Sequence, residues 1–270
     1  MKVFGIDVST HQGNFNFKKA KDEGVEFVIL RGAWGTNKDK KFETYYKDAK
    51  KQGLNVGVYL YTYAKNANEA KQEAEFLYNK CLKGKQFEMP IYIDIENAIQ
   101  RSLDTKTNTQ IVDTFCKTLE KLGYWAGVYA DLSFFKNKLR DNELQGYCHW
   151  VAQWSNECTY KGNDGVLGLW QFGGEKNYIR TNKVAGVVCD QDYELVDYPT
   201  KIKARGKNGF KIQIQKSEEL LTQIAKKVIK GDFGNGLVRK VKLADYLKKN
   251  NYPYTVKEIQ NKVNELLKKK

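Results

Sequence analysis

Apolar residues alternate with polar or small ones along eight short stretches of the first 197 residues: 3–8, 26–31, 55–63, 90–96, 124–130, 148–153, 166–172 and 186–190. A period of two predicts strands. Between the first six, apolar positions recur at helical spacing near 16–23, 40–52, 66–82, 105–122 and 131–141. After the sixth strand the connections shorten and carry no helical pattern. Eight strands, five of them followed by helices, predict an α/β fold: a (β/α)5(β)3 TIM-like barrel that loses its last helices. In such a barrel, side chains that point inward at the C-terminal strand ends carry the chemistry, and outward ones pack on helices.

The pattern changes near residue 198. A basic stretch with Pro199, Gly206 and Gly209 reads as a linker over 199–215. Ser217, Glu218 and Glu219 then open a helix carrying Leu220, Leu221, Ile224, Val228 and Ile229, which the run Gly231-Asp232-Phe233-Gly234-Asn235-Gly236 breaks. Two more helices are predicted near 237–249 and 255–268, with a turn at Asn250-Asn251-Tyr252-Pro253. Residues 1–198 thus form the expected barrel and 216–270 a small three-helix bundle, near the lower size limit for independent stability.

Strand parity brings out the candidate chemistry. In Pro90-Ile91-Tyr92-Ile93-Asp94-Ile95-Glu96 the isoleucines share one face and Asp94 and Glu96 the other. Same-face neighbours on a strand have Cα atoms roughly 6.5–7 Å apart, and two acids that close repel, so one holds its proton nearer neutral pH. A proton donor beside a carboxylate is the equipment for cleaving glycosidic bonds. A solvated strand end whose acids cap the next loop is the competing reading. Parity also turns Asp7 inward, since Phe4 and Ile6 face the helices, and Asp190 inward, since Val187 and Cys189 face out; Tyr59 and Tyr61 alternate away from the apolar set. Four acids from three strands converge on one end of the barrel.

Charge divides the chain where the pattern does. Residues 1–200 hold 27 Lys and Arg against 26 Asp and Glu, whereas 201–270 hold 19 against 6, so nearly all the net positive charge lies in the tail. That implies an anionic partner: nucleic acid, a lipid surface or an anionic cell wall. Seventeen Tyr and five Trp exceed what a core needs, and aromatic rings suit sugar faces. The five cysteines are odd in number and show no C-x-x-C spacing, so free thiols are expected. With only His11 and His149, neither a metal nor a cofactor is expected. No apolar run approaches the roughly 18 residues of a membrane span, so no membrane insertion is expected. The N-terminus runs directly into a strand without a signal-peptide pattern, which implies synthesis in a cytoplasm.

Asp7-Val8-Ser9-Thr10-His11-Gln12-Gly13 resembles the N-terminal signature D-x-S-x-[HYW]-[NQ]-G of the family 25 glycoside hydrolases. Further marks follow in order: Arg31-Gly32-Ala33-Trp34-Gly35, Gly57-Val58-Tyr59-Leu60-Tyr61, Asp94-Ile95-Glu96, Gly127-Val128-Tyr129, Trp150-Val151-Ala152-Gln153-Trp154, Trp170-Gln171-Phe172 and Asp190-Gln191-Asp192-Tyr193. The resemblance covers about 1–197 and implies a lysozyme of phage endolysin or autolysin type. Such an enzyme hydrolyses the β-1,4 bond between N-acetylmuramic acid and N-acetylglucosamine in peptidoglycan. It implies Glu96 as general acid, Asp94 as its partner, and Asp7 and Asp190 completing the acidic mouth. The family's last motif usually carries one acid, D-x-N, where this chain has Asp190 and Asp192; Asp190 matches by position, and Asp192 is taken as a substrate contact. Trp34, Tyr61, Tyr129, Trp154 and Trp170 are the candidate glycan-stacking rings.

The tail, over about 217–268, is similar to a helical cell-wall-binding repeat, with Gly231–Gly236, Arg239-Lys240, Tyr252, Tyr254 and Ile259-Gln260 as its marks. The partners implied are peptidoglycan and anionic wall polymers, reached after release from the cytoplasm. Two other readings compete: a non-catalytic glycan-binding protein, which predicts a missing carboxylate, and a basic tail that binds nucleic acid. A family 18 chitinase-like mark fails because Met89 and Tyr92 stand where it needs acids.

Overall fold

Val3–Val8 (β1) turns Phe4, Ile6 and Val8 to one side and Gly5 and Asp7 to the other. The same two-sided pattern organises Phe27–Trp34 (β2), Asn55–Tyr61 (β3), Ile91–Asp94 (β4), Ala126–Asp131 (β5), Cys148–Ala152 (β6), Leu167–Gly173 (β7) and Asp190–Glu194 (β8). These eight strands hydrogen-bond in sequence order and β8 pairs back to β1, so in this computed structural model the sheet closes into a barrel. The first seven run parallel; β8 is antiparallel to both neighbours, β7 and β1. The structure describes residues 2–163, 165–212, 216–250 and 252–268. The chain falls into two units, Met1–Lys203 with Lys207–Phe210, and Ala204–Gly206 with Lys211–Lys270.

One strand differs from expectation. Of the predicted 186–190, Val187–Val188 pairs with Lys183–Val184 in a separate two-stranded ribbon, and the strand that closes the barrel is 190–194. The acids inside this segment obscure it as a strand, because its inward face carries Asp190, Asp192 and Glu194 rather than apolar residues.

Closure creates two apolar layers. Phe27, Ile29, Tyr92, Trp150 and Leu169 fill the interior. Phe4, Ile6, Val28, Leu30, Val56, Val58, Ile91 and Ile93 face outward into the layer beneath the helices. Those helices are Phe17–Asp22 (α1), Phe42–Lys51 (α2), Ala67–Leu77 (α3), Ala98–Ser102 (α4), Thr105–Lys121 (α5) and Leu132–Lys138 (α6). Helix α5 starts where Asp104 accepts from the Thr107 N–H, and it buries Ile111, Val112, Phe115, Cys116 and Leu119 on one stripe. Truncating a buried ring such as Phe115 would cost about 3–5 kcal/mol. Gly5 is required by this packing: a Cβ there would lie 2.3 Å from the Phe27 ring. No helix among the described residues is long and apolar enough to cross a membrane.

The first part of the stretch read as a linker, 199–215, is instead packed on the barrel. Tyr198–Ala204 (α7) buries Tyr198 and Ile202 in the interior layer. Asn208, fully buried with φ 54°, accepts from the Trp125 N–H (2.7 Å) and donates to the Met89 carbonyl (2.9 Å). Its backbone accepts from Phe87 N–H and donates to the Gly123 carbonyl. One asparagine therefore satisfies the chain just before β4 and β5. Sequence pattern cannot reveal this, because the residues around Asn208 are basic and glycine-rich. Residues 213–215 of the expected linker, and Asn251 of the expected turn, lie outside the described residues.

The second unit contains Glu218–Lys230 (α8), Gly236–Lys249 (α9) and Val256–Lys268 (α10) around a core of Ile224, Val228, Phe233, Leu243, Leu247, Ile259 and Val263. Ser217 caps α8 through the Leu220 N–H, and Gly231 ends it in a left-handed conformation. Arg239 holds the following turn by donating to the Gly234 carbonyl (3.1 Å) and the Asn235 side chain (3.0 Å).

Candidate active site

The inward parity of β1, β4 and β8 brings their acids to one end of the barrel. Asp7 is the register partner of Asp190, and Asp94 lies between Tyr61 on β3 and Tyr129 on β5. Because β8 is antiparallel, its N-terminal end meets the C-terminal ends of the parallel strands. A cavity of about 210 Å³ there is lined by Asp7, Asp94, Glu96 and Asp190 together with Arg31, Tyr59, Tyr61, Tyr129, Trp150 and Gln171. A second depression, walled by Trp34, Lys40 and Tyr63, shares His11, Arg31 and Tyr61 with it, so the two form one groove.

A hydrogen-bond network holds the floor in place. Gln171 Oε1 accepts from Tyr129 Oη (3.1 Å) and Trp154 Nε1 (3.0 Å), and Gln171 Nε2 donates to Asp7 Oδ2 (2.9 Å). An indole can only donate, which fixes the amide's orientation and turns its N–H toward the carboxyl. Arg31 Nε donates to Asp39 Oδ2 (2.9 Å) while its guanidinium lies 5.0 Å from the Trp34 ring centre. Asp39 also accepts from the Thr10 and Lys41 N–H groups, tying the loop after β1 to the rim. Gly174 is the second required glycine: a Cβ there would lie 1.9 Å from Asp190 Oδ1 and 2.8 Å from the Trp154 ring.

The acids are not equivalent. Burial pushes Asp94 well above the usual carboxylate range, the Glu96 charge adds to this, and Arg31 opposes it. Burial, then Asp190 and Asp192, raise Asp7, against the Gln171 bond. Asp190 is pushed up to about 6 by burial and by Glu96 and Glu175. Glu96 is raised by burial and then Asp131, with Arg101 pulling down. It lies two residues beyond the end of β4 and is only half-buried, whereas Asp94 is buried. Arg101 donates to the Glu96 backbone carbonyl (3.0 Å) and pairs with Asp131 (2.5 Å), which holds the loop carrying Glu96.

Of the residues singled out from sequence, Asp7, Asp94, Glu96, Asp190, Tyr61 and Tyr129 line the cavity. Trp34 lies along the groove, and Trp154, 38% exposed, reaches it through Gln171. Two do not fit their expected roles. Trp170 is buried on the outer face of β7, packed on Phe172 with its indole bonded to the Gln153 carbonyl, because its neighbours Leu169 and Gln171 take the inward positions. Asp192 is fully buried beneath the cavity floor, bonded to Trp150 Nε1 (2.7 Å), so it offers no surface to a substrate. Tyr59 lines the cavity as its parity implies, and so do Arg31, Trp150 and Gln171, to which the sequence reading gives no site role. Parity alone would have found them: Arg31 shares a face with Phe27 and Ile29, and Gln171 with Leu169.

A closed α/β barrel whose strand ends gather four carboxyls in an aromatic-walled groove defines a class of protein equipped for glycoside chemistry. The chain belongs to glycosyl hydrolases family 25, which matches residues 6–179. Residues 222–267 match a CW_7 repeat. The chain is 30% identical over 151 residues to the autolytic lysozyme of Clostridium acetobutylicum, covering 56% of this chain and 44% of that one. It is 35% identical over 202 residues to lysozyme M1 of Streptomyces globisporus, covering 70% and 66%. Its fold is similar to that of the modular autolysin LytC of Streptococcus pneumoniae in complex with a synthetic peptidoglycan ligand: TM-score 0.61, 27% identity, 71% of this chain and 46% of that one. The chain thus spans less than half the length of the Clostridium lysozyme and of LytC.

Proposed function

We propose that this chain is a peptidoglycan hydrolase that cleaves the β-1,4 bond between N-acetylmuramic acid and N-acetylglucosamine in Gram-positive walls. The observation that carries the reading is the meeting of Asp7, Asp94, Glu96 and Asp190 around one groove with Tyr and Trp walls. Glu96 is the general acid: it is the most accessible of the raised carboxyls that line the groove next to Asp94, and burial favours its protonated form. It gives its proton to the glycosidic oxygen as the bond from the anomeric carbon breaks and the electron pair leaves with that oxygen. Asp94 and Glu96 come from one strand and its end, an arrangement poorly suited to flanking opposite sugar faces. The acetamido oxygen of the substrate therefore attacks the anomeric carbon, with Asp94 positioning the acetamido group, and water then opens the cyclic intermediate. Asp7 and Asp190 complete the acidic wall.

The barrel in this reading is a (β/α)5(β)3 catalytic domain. The basic tail is a three-helix wall-binding module that holds peptidoglycan and anionic wall polymers, and the likeness to the CW_7 repeat supports that role. A single copy of the module binds without the avidity of tandem copies. The test is digestion of purified Gram-positive peptidoglycan, borohydride reduction and mass spectrometry. New reducing muramic acid ends are expected; new reducing glucosamine ends, or intact glycan, would overturn the proposal.

A further inference from the structure

Below the groove lies a carboxyl that the reaction does not touch. Asp192 follows Asp190 by two residues on β8 and is fully buried; its Oδ1 accepts from Trp150 Nε1. Its other oxygen, Oδ2, is buried with no N–H donor among the described residues. Asp7 stands on β1, the strand paired with β8, diagonally across from Asp192 on the same inward face, and each of the two buried carboxyls acts on the other. Two carboxyls so placed need a proton between them, since two ionised ones have no donor and repel. The donor-only indole claims Oδ1 of Asp192 as an acceptor, so the proton lies on the side toward Asp7. Asp7 is held from the other direction by Gln171 Nε2.

We infer that Asp192 is a positioning residue that shares one proton with Asp7, so that the pair bears a single negative charge and Asp7 stays aimed at the groove. The groups acting on the pair are Asp190 on β8, Asp94 on β4, the Cys189 thiol, and the Tyr59 and Tyr129 phenols. Burial keeps the thiol and both phenols neutral, and charge forming on Asp190 or Asp94 repels a second charge on the pair. Arg31 on β2 opposes the Asp94 charge. The setting therefore resists loss of the shared proton.

Asparagine can reproduce the protonated acid: its oxygen accepts from Trp150 and its N–H donates to Asp7. In wild type minus Asp192→Asn difference infrared spectra at pH 7, a protonated-carboxyl stretch assigned to the pair is expected. Relative to wild type, the Tm of Asp192→Asn should be at least about 3 °C higher at pH 9 than at pH 5, because the variant no longer holds a proton that the unfolded chain has released. On the glycosidase reading, Asp192→Asn keeps kcat within about threefold while Asp192→Leu lowers it roughly tenfold to a hundredfold with little change in KM. No carboxyl stretch in the difference spectrum, or a Tm difference flat with pH, would overturn the inference. A folded Asp192→Asn as inactive as Asp192→Leu would also overturn it. The infrared and melting measurements need no substrate, so failure of the glycosidase reading would leave them standing.

Discussion

Replacing Asp190 with Asn should make the protein more stable at pH 8 than wild type while abolishing its part in the acidic wall. Asp190 is raised from 3.8 to about 6, first by burial and then by the Glu96 and Glu175 charges. A carboxyl raised in the folded state contributes stability that is complete below its unfolded value and is lost as pH climbs through the folded one. The window is therefore pH 4 to about 7. A shift of this size corresponds to about 3 kcal/mol, and neighbouring acids that retitrate when the charge is removed reduce the net to about 1.5–3 kcal/mol. Asparagine keeps the shape and removes the charge. For a chain this size the Tm of Asp190→Asn minus that of wild type should rise by about 4–10 °C between pH 4 and pH 8. Calorimetric melts at fixed ionic strength across that range measure it. A Tm difference independent of pH, or one that falls as pH rises, would refute the electrostatic account of the site.

Glu96→Gln should abolish wall lysis while co-sedimentation with walls stays at the wild-type level; near-normal lysis would remove Glu96 as the acid. Gly174→Ala forces a methyl group to within 1.9 Å of Asp190 Oδ1, so the carboxyl must move, and lysis should drop by about tenfold or more with a shift in Trp154 fluorescence. Asn208→Ala strips partners from the Trp125 N–H and the Met89 carbonyl. It should cost about 2–4 kcal/mol in chemical denaturation with activity per folded molecule unchanged. For the same reason a chain ending at residue 200 should melt well below one ending at 212, which keeps Ile202 and Asn208.

Much of the barrel was legible because burial on two faces imposes a period. Ile91, Ile93 and Ile95 against Tyr92, Asp94 and Glu96 fixed the facing of β4, and the same argument located Asp7. The eighth strand lies several residues beyond its predicted place. Its inward face is acidic and its pairing antiparallel, so neither hydropathy nor analogy with the other strands marks it. Trp170 shows the opposite case: its motif marks it as a sugar contact, whereas Gln171 beside it holds the inward position. Asn208 could not be read at all, since its partners are backbone groups more than 80 residues away in sequence.

Residue order alone determined what is local and periodic: which side chains share a face, where helices start and stop, and where the charge changes. It therefore also determined that several acids would point the same way. Only closure of the sheet decided which of them meet and what surrounds them. Asp190 and Asp192 are alike in sequence, two residues apart on one face. One lines the groove with its carboxyl raised to about 6, and the other is sealed below it against Trp150 and Asp7. The difference between them is depth in the barrel, a property that exists only when β8 returns to pair with β1.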